Sequence, residues 1–303
     1  MDIRPEYARL ITVVYQTIDS KRGTKLSEKD KWLFDAETLS VKLFYHSASI
    51  LHLSFGTTLP QFDSRKHNFF DHASMYVLAR VSFETYLTFF FIYCDSGCGI
   101  EKLMFRHLLW KLSAPIDRQG FNLISEAAVK TLALEKKAIE KMLAELEGNK
   151  VFLTLEEKLR KKARKGEWRL DKTWADIAEI AGFAKKTFRT VYSYLCSYAH
   201  AGGLSGLQIG QVINVQDQER LSKLSLQFGL LLMSHFLFSY TSLFPETREV
   251  LEKDEEGYRL AYKWFVTMEG RWISEHIFLI TFLTITLHNL YFYFHEYLPQ
   301  MQE

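Results

Sequence analysis

The chain has 303 residues, of which 48% are hydrophobic and 15% aromatic, with 24 phenylalanines. This length can bury one large core or two smaller ones, and the aromatic content indicates large buried faces. Lys and Arg together number 38 and Asp and Glu 36, so the net charge is +2. That balance excludes a field over the whole protein that would attract nucleic acid, and any such contact must be local.

The cysteines and the N-terminus bear on the cellular compartment. Cys94, Cys98 and Cys196 are an odd number without the spacing of a zinc site, which predicts reduced thiols in a cytoplasmic protein. The first residues contain no apolar stretch, so no secretory signal is expected. The five prolines lie far apart, which leaves room for long helices.

The first third of the chain has the apolar spacing of helices. A short helix is predicted over residues 5–18, and a longer amphipathic one starts after an N-cap at Ser27 and runs to Gly56. Residues 56–66 are predicted to form a loop. From about His67 to Cys94 the chain is apolar on almost all sides, which predicts a core helix.

Arg80 and Glu84 are the two charges in this core helix beyond Asp71, and they lie four residues apart on one face. An ion pair buried among apolar side chains adds little stability, so its presence needs another explanation. The pair either fixes the packing of the core or belongs to a functional site. If it is buried, Arg80→Ala should cost about 3–5 kcal/mol, because Glu84 would lose its partner.

The middle of the chain is strongly charged. A helix is predicted over residues 100–113, a loop over 113–120, and a helix rich in Ala, Leu, Glu and Lys from Ser125 to Glu147. Residues 155–165 then carry a dense basic cluster, which either balances the preceding acidic residues, the interpretation we favour, or contacts phosphate. We therefore predict a charged helical hairpin inserted at 125–170, through which a protein partner or a second copy could bind at 125–165.

A later helix concentrates polar side chains. A short helix over residues 174–182 leads to a helix over 185–201. On one face of the second helix, at steps of four, four and three, lie Arg189, Ser193, Ser197 and His200, and Tyr194 and Tyr198 line the neighbouring face. The two glycines that follow at 202 and 203 predict a left-handed C-cap, with His200 in the last turn.

The C-terminal part is predicted to complete the core. Residues 206–215 alternate loosely and are predicted to be extended, and two long apolar runs follow at 224–244 and 277–294. Both runs reach the length of about 18–20 residues needed to span a membrane, but polar residues interrupt them and no Lys/Arg bias flanks them. We therefore predict an all-α protein without a membrane span. In this prediction residues 1–303 form a single multi-helix bundle, in which 217–298 complete the core.

Two of these helices carry a family resemblance. The Arg80-Val-Ser-Phe-Glu84 helix and the later segment from Trp174 through Gly182 to the Tyr/Ser/His helix resemble a bacterial all-helical family of unknown function. The resemblance covers roughly residues 28–205 and departs from the family after the histidine, where this chain has Ala-Gly instead of Pro-Ser or Gly-Ser. It implies a helical fold and no established chemistry. It also implies that the family's marked positions are Arg80, Glu84, Tyr194, Ser197 and His200.

These side chains are suited to acid–base catalysis. His200 would act as base or acid, Arg80 would stabilise an anionic transition state, and Glu84 would orient one of them. We expect the three to lie within about one side-chain length of each other, directly or through Tyr194 or Tyr198. The site is similar in character to that of HEPN-type helical ribonucleases, in which an Arg and a His on one helix cleave RNA at the 2′-OH.

The spacing of that ribonuclease motif gives limited support. Arg65 and His72 have the required separation, but chance matches to so short a pattern are common, and Arg189 and His200 lie too far apart. The chain has no His-Glu-x-x-His or Glu-x-x-His motif and no phosphate-cradling Gly-rich loop, so neither a metal nor another cofactor is expected.

Two hypotheses of function follow. The first is an RNA- or nucleotide-directed hydrolytic effector of a bacterial defence or toxin system, acting through the Arg80, Glu84 and His200 set with Tyr194, Ser197 and Tyr198. The second is a non-enzymatic helical interaction or scaffold protein in a multi-protein assembly, in which the same residues only fix the core.

Overall fold

A computed structural model describes residues 2–59, 67–122, 124–200, 202–212 and 214–265 of the chain. Its N-terminal part consists of two helices and a small hairpin. These elements are α1 (Arg4–Asp19), a 3-10 segment (Glu28–Leu33) that leads directly into α2 (Phe34–Leu53), and the antiparallel strands β1 (Thr57–Leu59) and β2 (His67–Phe69).

The central helix is α3 (His72–Phe89), which packs against α2 and two later helices. It begins at an N-cap, where the Asp71 side chain accepts a hydrogen bond from the backbone N–H of Ser74 at 2.9 Å. A turn of π-helix (Phe90–Cys94) continues it, and α4 (Ile100–Gln119) follows after a short turn.

The remaining helices complete the bundle, so the described residues contain thirteen α-helices and are all-α apart from the small hairpin. The next five elements are α5 (Glu126–Glu147), α6 (Lys150–Thr154), α7 (Glu157–Arg164), α8 (Trp174–Ile180) and α9 (Lys185–Ala199). The last elements are α10 (Gly203–Gln211), α11 (Val215–Leu243), a 3-10 turn (Pro245–Thr247), α12 (Arg248–Lys253) and α13 (Glu255–Trp264).

Two hydrophobic clusters hold these helices together. The main core joins α1, α2, α3, α9 and α11 around large, fully buried side chains such as Tyr76, Phe83 and Phe236. The second core packs α4 against α5, α6 and α7 through Leu109, Leu146 and other apolar side chains. The predicted charged hairpin is therefore anchored on α4. The domain extent predicted for 1–303 stays a prediction, since the apolar run at 277–294 lies outside the described residues.

Two helical stretches are long and apolar enough to cross a membrane, His72–Cys94 and Val215–Leu243. In their most apolar windows, 61% and 78% of the residues are buried within the fold. Burial against other helices is the arrangement expected of core helices in a soluble protein, because it removes the apolar faces from solvent without a bilayer.

Two segments that the sequence predicts as a loop or as extended are largely helical. Residues 113–120 were predicted to be a loop, but α4 continues to Gln119 with Pro115 inside it. Leu112 and Pro115 are buried and Ile116 packs on the second core, and this burial offsets the roughly 3 kcal/mol that an interior proline costs. The stretch 206–215, predicted to be extended, contributes most of its residues to α10 and the first turn of α11.

We predict that Gly229→Ala destabilises the protein by about 1–3 kcal/mol, because α11 approaches α1 too closely for a side chain. A Cβ at Gly229 would lie 2.5 Å from the Tyr7 hydroxyl oxygen. This overlap exceeds the gain of about 1 kcal/mol that alanine brings within a helix. Urea denaturation measures the effect. Gly210→Ala in α10 is the control, since its Cβ would meet nothing within 4 Å, and equal stability of the two variants would contradict the prediction.

Candidate functional site

The candidate site lies where α9 packs against α3, and four polar side chains meet there. Arg80 donates from Nε to Glu84 Oε1 at 3.1 Å, and its Nη1 lies 3.0 Å from His200 Nε2. The Tyr192 hydroxyl donates to the same Glu84 oxygen at 2.5 Å, and the Arg80 guanidinium lies 5.6 Å from the centre of the Tyr192 ring. The expected proximity of Arg80, Glu84 and His200 is thus confirmed, with Arg80 in direct contact with both of the other side chains.

The contact with Arg80 sets the hydrogen-bond role of His200 Nε2. An arginine side chain has only donors, so His200 Nε2 accepts the hydrogen bond from Arg80. An imidazole that accepts at Nε2 carries its proton on Nδ1 for as long as this contact is formed. His200 follows the last residue of α9 and is exposed. A neutral imidazole with a basic nitrogen at an accessible position has the form required of a general base.

The surroundings of Tyr192 and Arg80 keep each side chain in one charge state. Burial raises the pKa of Tyr192 and the hydrogen bond to Glu84 raises it further, so Tyr192 stays a neutral donor. Burial lowers the pKa of Arg80, but its contact with Tyr192 and the charge of Glu84 raise that pKa by more. Arg80 therefore keeps its positive charge next to His200.

The Arg80–Glu84 pair is less buried than its apolar sequence context suggested. The Arg80 side chain is 18% exposed and the Glu84 side chain 25% exposed. Water can therefore reach both charges, and the loss of one partner is expected to cost less than it would in a fully buried pair. The partial exposure also places the guanidinium where a ligand can contact it.

Tyr194 and Tyr198 take part in a different group of side chains. Their rings and that of Tyr76 form a mostly buried cluster in which the centroids of Tyr76 and Tyr198 are 4.7 Å apart. The Tyr198 hydroxyl donates to Gln208 Oε1 at 2.6 Å, and burial raises the pKa of Tyr198. These contacts give the two tyrosines a structural role in joining α9 to α3 and α10.

Ser197 also makes structural contacts. It accepts hydrogen bonds from Ser205, whose backbone N–H lies 3.0 Å from Ser197 Oγ and whose hydroxyl lies 2.9 Å from Ser197 O. The predicted left-handed glycine cap is wrong, because Gly202 has φ −62° and is the N-cap of α10, while Gly203 is the first residue of that helix. The buried contacts of α10 with α9 favour a second helix over an extended segment.

Tyr192 is the functional candidate that the sequence-based set missed. It precedes His200 by eight residues, which is two steps of four, so the two share a face of α9. This spacing is the sequence feature from which Tyr192 could have been identified as a site residue. Of the ribonuclease-like pair, Arg65 lies outside the described residues and His72 is buried against the rings of Tyr76 and Tyr198.

The burial of His72 predicts that the stability of the fold depends on pH. Burial lowers its pKa, whereas in the unfolded chain a histidine titrates near about 6.5. Below that pH the unfolded state binds more protons than the folded state, so stability should fall as the pH drops from about 6.5 to 5. His72→Leu should reduce this loss in urea denaturation at the two pH values. The exposed His52 provides the control variant His52→Gln, and an equal reduction there would contradict the assignment.

The described residues contain no group of three or more His, Cys, Asp or Glu side chains that could hold a metal ion. Comparisons of the chain with protein-family models, with curated protein sequences and with solved structures found no significant match. The resemblance to a bacterial helical family therefore stays a prediction, and the function has to be inferred from the residues of the site.

Proposed function

We propose that Arg80, Glu84, Tyr192 and His200 form the acid–base site of an RNA- or nucleotide-directed hydrolytic effector that acts in the bacterial cytoplasm, in defence or as a toxin. The observation that carries the proposal is the contact between a permanently charged guanidinium and the basic nitrogen of an exposed histidine. The similarity in character to HEPN-type ribonucleases supports the same class of reaction.

With RNA as substrate, His200 Nε2 would take the proton of a 2′-hydroxyl, whose oxygen attacks the adjacent phosphorus. The bond from phosphorus to the 5′-oxygen breaks, and the leaving oxygen takes a proton from the imidazolium or from water. Arg80 would stabilise the negative charge that develops on the phosphate oxygens. The products are a 2′,3′-cyclic phosphate and a 5′-hydroxyl end.

Arg80 has to change its partner for this reaction to proceed. Without substrate it occupies the Nε2 lone pair of His200. A phosphate offers a guanidinium two charged acceptors, and such hydrogen bonds are stronger than one to a neutral imidazole. Substrate binding would therefore draw Arg80 Nη1 from His200 and free the base, while Arg80 Nε keeps its hydrogen bond to Glu84.

The test compares wild type and His200→Ala produced at equal soluble levels in bacterial cells. Wild type should slow growth and leave RNA fragments with 2′,3′-cyclic phosphate ends, and His200→Ala should do neither. The variant should lose less than about 1.5 kcal/mol of stability, near the usual contribution of one hydrogen bond. Intact RNA in cells that make wild type, or equal cleavage by the variant, would refute the proposal.

Exposed apolar side chains on the charged helices favour the scaffold function as a second candidate. The charged helices expose large apolar side chains, with Leu134 67%, Leu153 57% and Val129 52% exposed. Neighbouring charges are partly paired, as between Arg164 and Glu147. A protein partner or a second copy that binds at 125–165 would cover these side chains. Light scattering of wild type and Leu134→Glu tests for self-association, and a monomer in both would exclude a second copy as the partner.

A further inference from the structure

An open cleft with a volume of about 650 Å³ is lined by α8, α9 and the segment between α7 and α8, and Tyr192 is one of its lining residues. This volume lies within the range of small-ligand sites in proteins. The cleft is called the aromatic cleft below. Its lining includes Trp168, Arg169, Trp174, Phe188, Arg189 and Tyr192.

The charges of the aromatic cleft favour an anion. Four cationic side chains line it, and two of them are neutralised locally, as Lys162 pairs with Glu167 at 3.4 Å and Lys172 pairs with Asp171 at 3.4 Å. Arg169 and Arg189 have no carboxylate partner among the residues that the structure describes. Both carboxylates of the lining are thus already paired with lysines, and two guanidinium groups remain for a ligand.

The flat side chains of the aromatic cleft favour a planar ligand. The rings of Trp168 and Trp174 meet edge to face with centroids 5.9 Å apart, and the Arg169 guanidinium lies 4.6 Å from the centre of the Trp174 ring. Phe188 and Tyr192 are stacked, with centroids 5.2 Å apart and an interplanar angle of 14°. Trp168 and Trp174 are both partly exposed and line the cleft.

The backbone next to these rings is strained. Leu170 lines the aromatic cleft and has φ +55°, the one positive φ of a non-glycine residue in the described part of the chain. Its carbonyl oxygen accepts a hydrogen bond from Lys162 Nζ at 2.9 Å. Such left-handed residues cost free energy and concentrate at ligand sites, where the surrounding structure holds them in place. The strained backbone at Leu170 is therefore a further feature typical of a ligand site, and it does not depend on the charges or the rings of the cleft.

We infer that the aromatic cleft binds a nucleotide unit, with the base against the tryptophan rings and the phosphate on Arg169 and Arg189. Aromatic platforms next to arginines are the common means of holding unpaired bases without sequence preference. Tyr192 belongs both to this cleft and to the Arg80 network, so the ligand would enter the candidate site from it. The inference rests on the proposed function and names its substrate subsite, which takes free nucleotide or single-stranded RNA.

The experiment measures fluorescence anisotropy of two labelled probes, a ten-nucleotide single-stranded RNA of mixed sequence and ATP, with the full-length His200→Ala protein. This variant keeps the aromatic cleft and leaves RNA uncut. The two test changes, added to it singly, are Trp174→Ala and Arg189→Glu. Arg189 is exposed and unpaired, so its substitution should not affect folding. Arg259→Glu in α13 is the matched control, since Arg259 is also exposed but lies outside the aromatic cleft.

We expect at least one probe to bind, with at least tenfold weaker binding for Trp174→Ala and for Arg189→Glu and an unchanged affinity for the control. Binding of ATP alone identifies a free nucleotide as the ligand, and binding of RNA identifies the strand. Failure of both probes to bind, or equal weakening by Arg259→Glu, would overturn the inference. Binding by this cleft without cleavage by wild type would refute only the proposed hydrolysis. Cleavage by wild type with unaltered binding in both test variants would refute only the assignment of nucleotide binding to the aromatic cleft.

Discussion

Arg106→Ala is expected to lower the free energy of unfolding by about 3–5 kcal/mol, because it would leave a buried carboxylate without its partner. Arg106 and Asp95 are 7% and 6% exposed. Arg106 Nη1 donates to Asp95 Oδ2 and to the backbone oxygen of Phe91, each at 2.7 Å. The guanidinium also lies 3.7 Å from the centre of the Phe91 ring. The change removes all three contacts and exposes the end of the π-helical turn, and urea denaturation measures the loss.

Arg248→Ala serves as the control for this prediction. Arg248 pairs with Glu252 one turn further along an exposed helix face, so its removal should leave the denaturation midpoint unchanged. A double variant, Arg106→Met with Asp95→Leu, should recover much of the loss from Arg106→Ala, since apolar side chains can replace a buried ion pair. If Arg106→Ala is as stable as wild type, water solvates the Asp95 carboxylate in place of Arg106, and the pair is not buried in solution.

The helices and the Arg80–Glu84–His200 contact could be predicted because their signals are local. An apolar sequence on almost all sides gave the position of α3, composition gave that of α5, and polar residues at steps of four and three gave that of α9. Arg80 and Glu84 are four residues apart in an apolar helix, and few other groups in that helix could pair with them. His200 ends a second polar face. Because buried charges need partners, the polar ends of the two helices were expected to meet.

The Arg106–Asp95 pair could not be predicted, because eleven residues and a turn separate its members and no periodicity relates them. The choice among the tyrosines failed for a similar reason. Tyr192 and Tyr194 are only two residues apart on one helix, and the rotation of α9 against α3 decides which of them reaches Glu84. That rotation depends on tertiary packing, such as the contact of Tyr194 with Tyr76, which the helical period does not encode.

Arg80→Ala is expected to lower the rate of RNA cleavage by about 10²–10³-fold while the protein stays folded. The apolar sequence context predicted a stability cost of about 3–5 kcal/mol. The structure lowers this to about 1–2 kcal/mol, since Glu84 is partly exposed and keeps the hydrogen bond from Tyr192. The variant removes the charge that would stabilise the phosphate oxygens. Initial cleavage rates and thermal denaturation of the same preparations measure both effects.

Arg80→Lys separates the roles of charge and geometry in this prediction. A lysine keeps the positive charge but lacks the planar set of donors with which Arg80 contacts Glu84 and His200 at once. It should restore most of the stability and little of the activity. If Arg80→Ala unfolds as readily as Arg106→Ala, Arg80 is a structural residue of the core. If Arg80→Ala cleaves RNA at the wild-type rate, the reaction takes place elsewhere in the protein. In wild type the guanidinium occupies His200 Nε2 until a phosphate replaces the imidazole as its partner. The residual activity of Arg80→Ala should therefore come from a His200 whose Nε2 is free at all times.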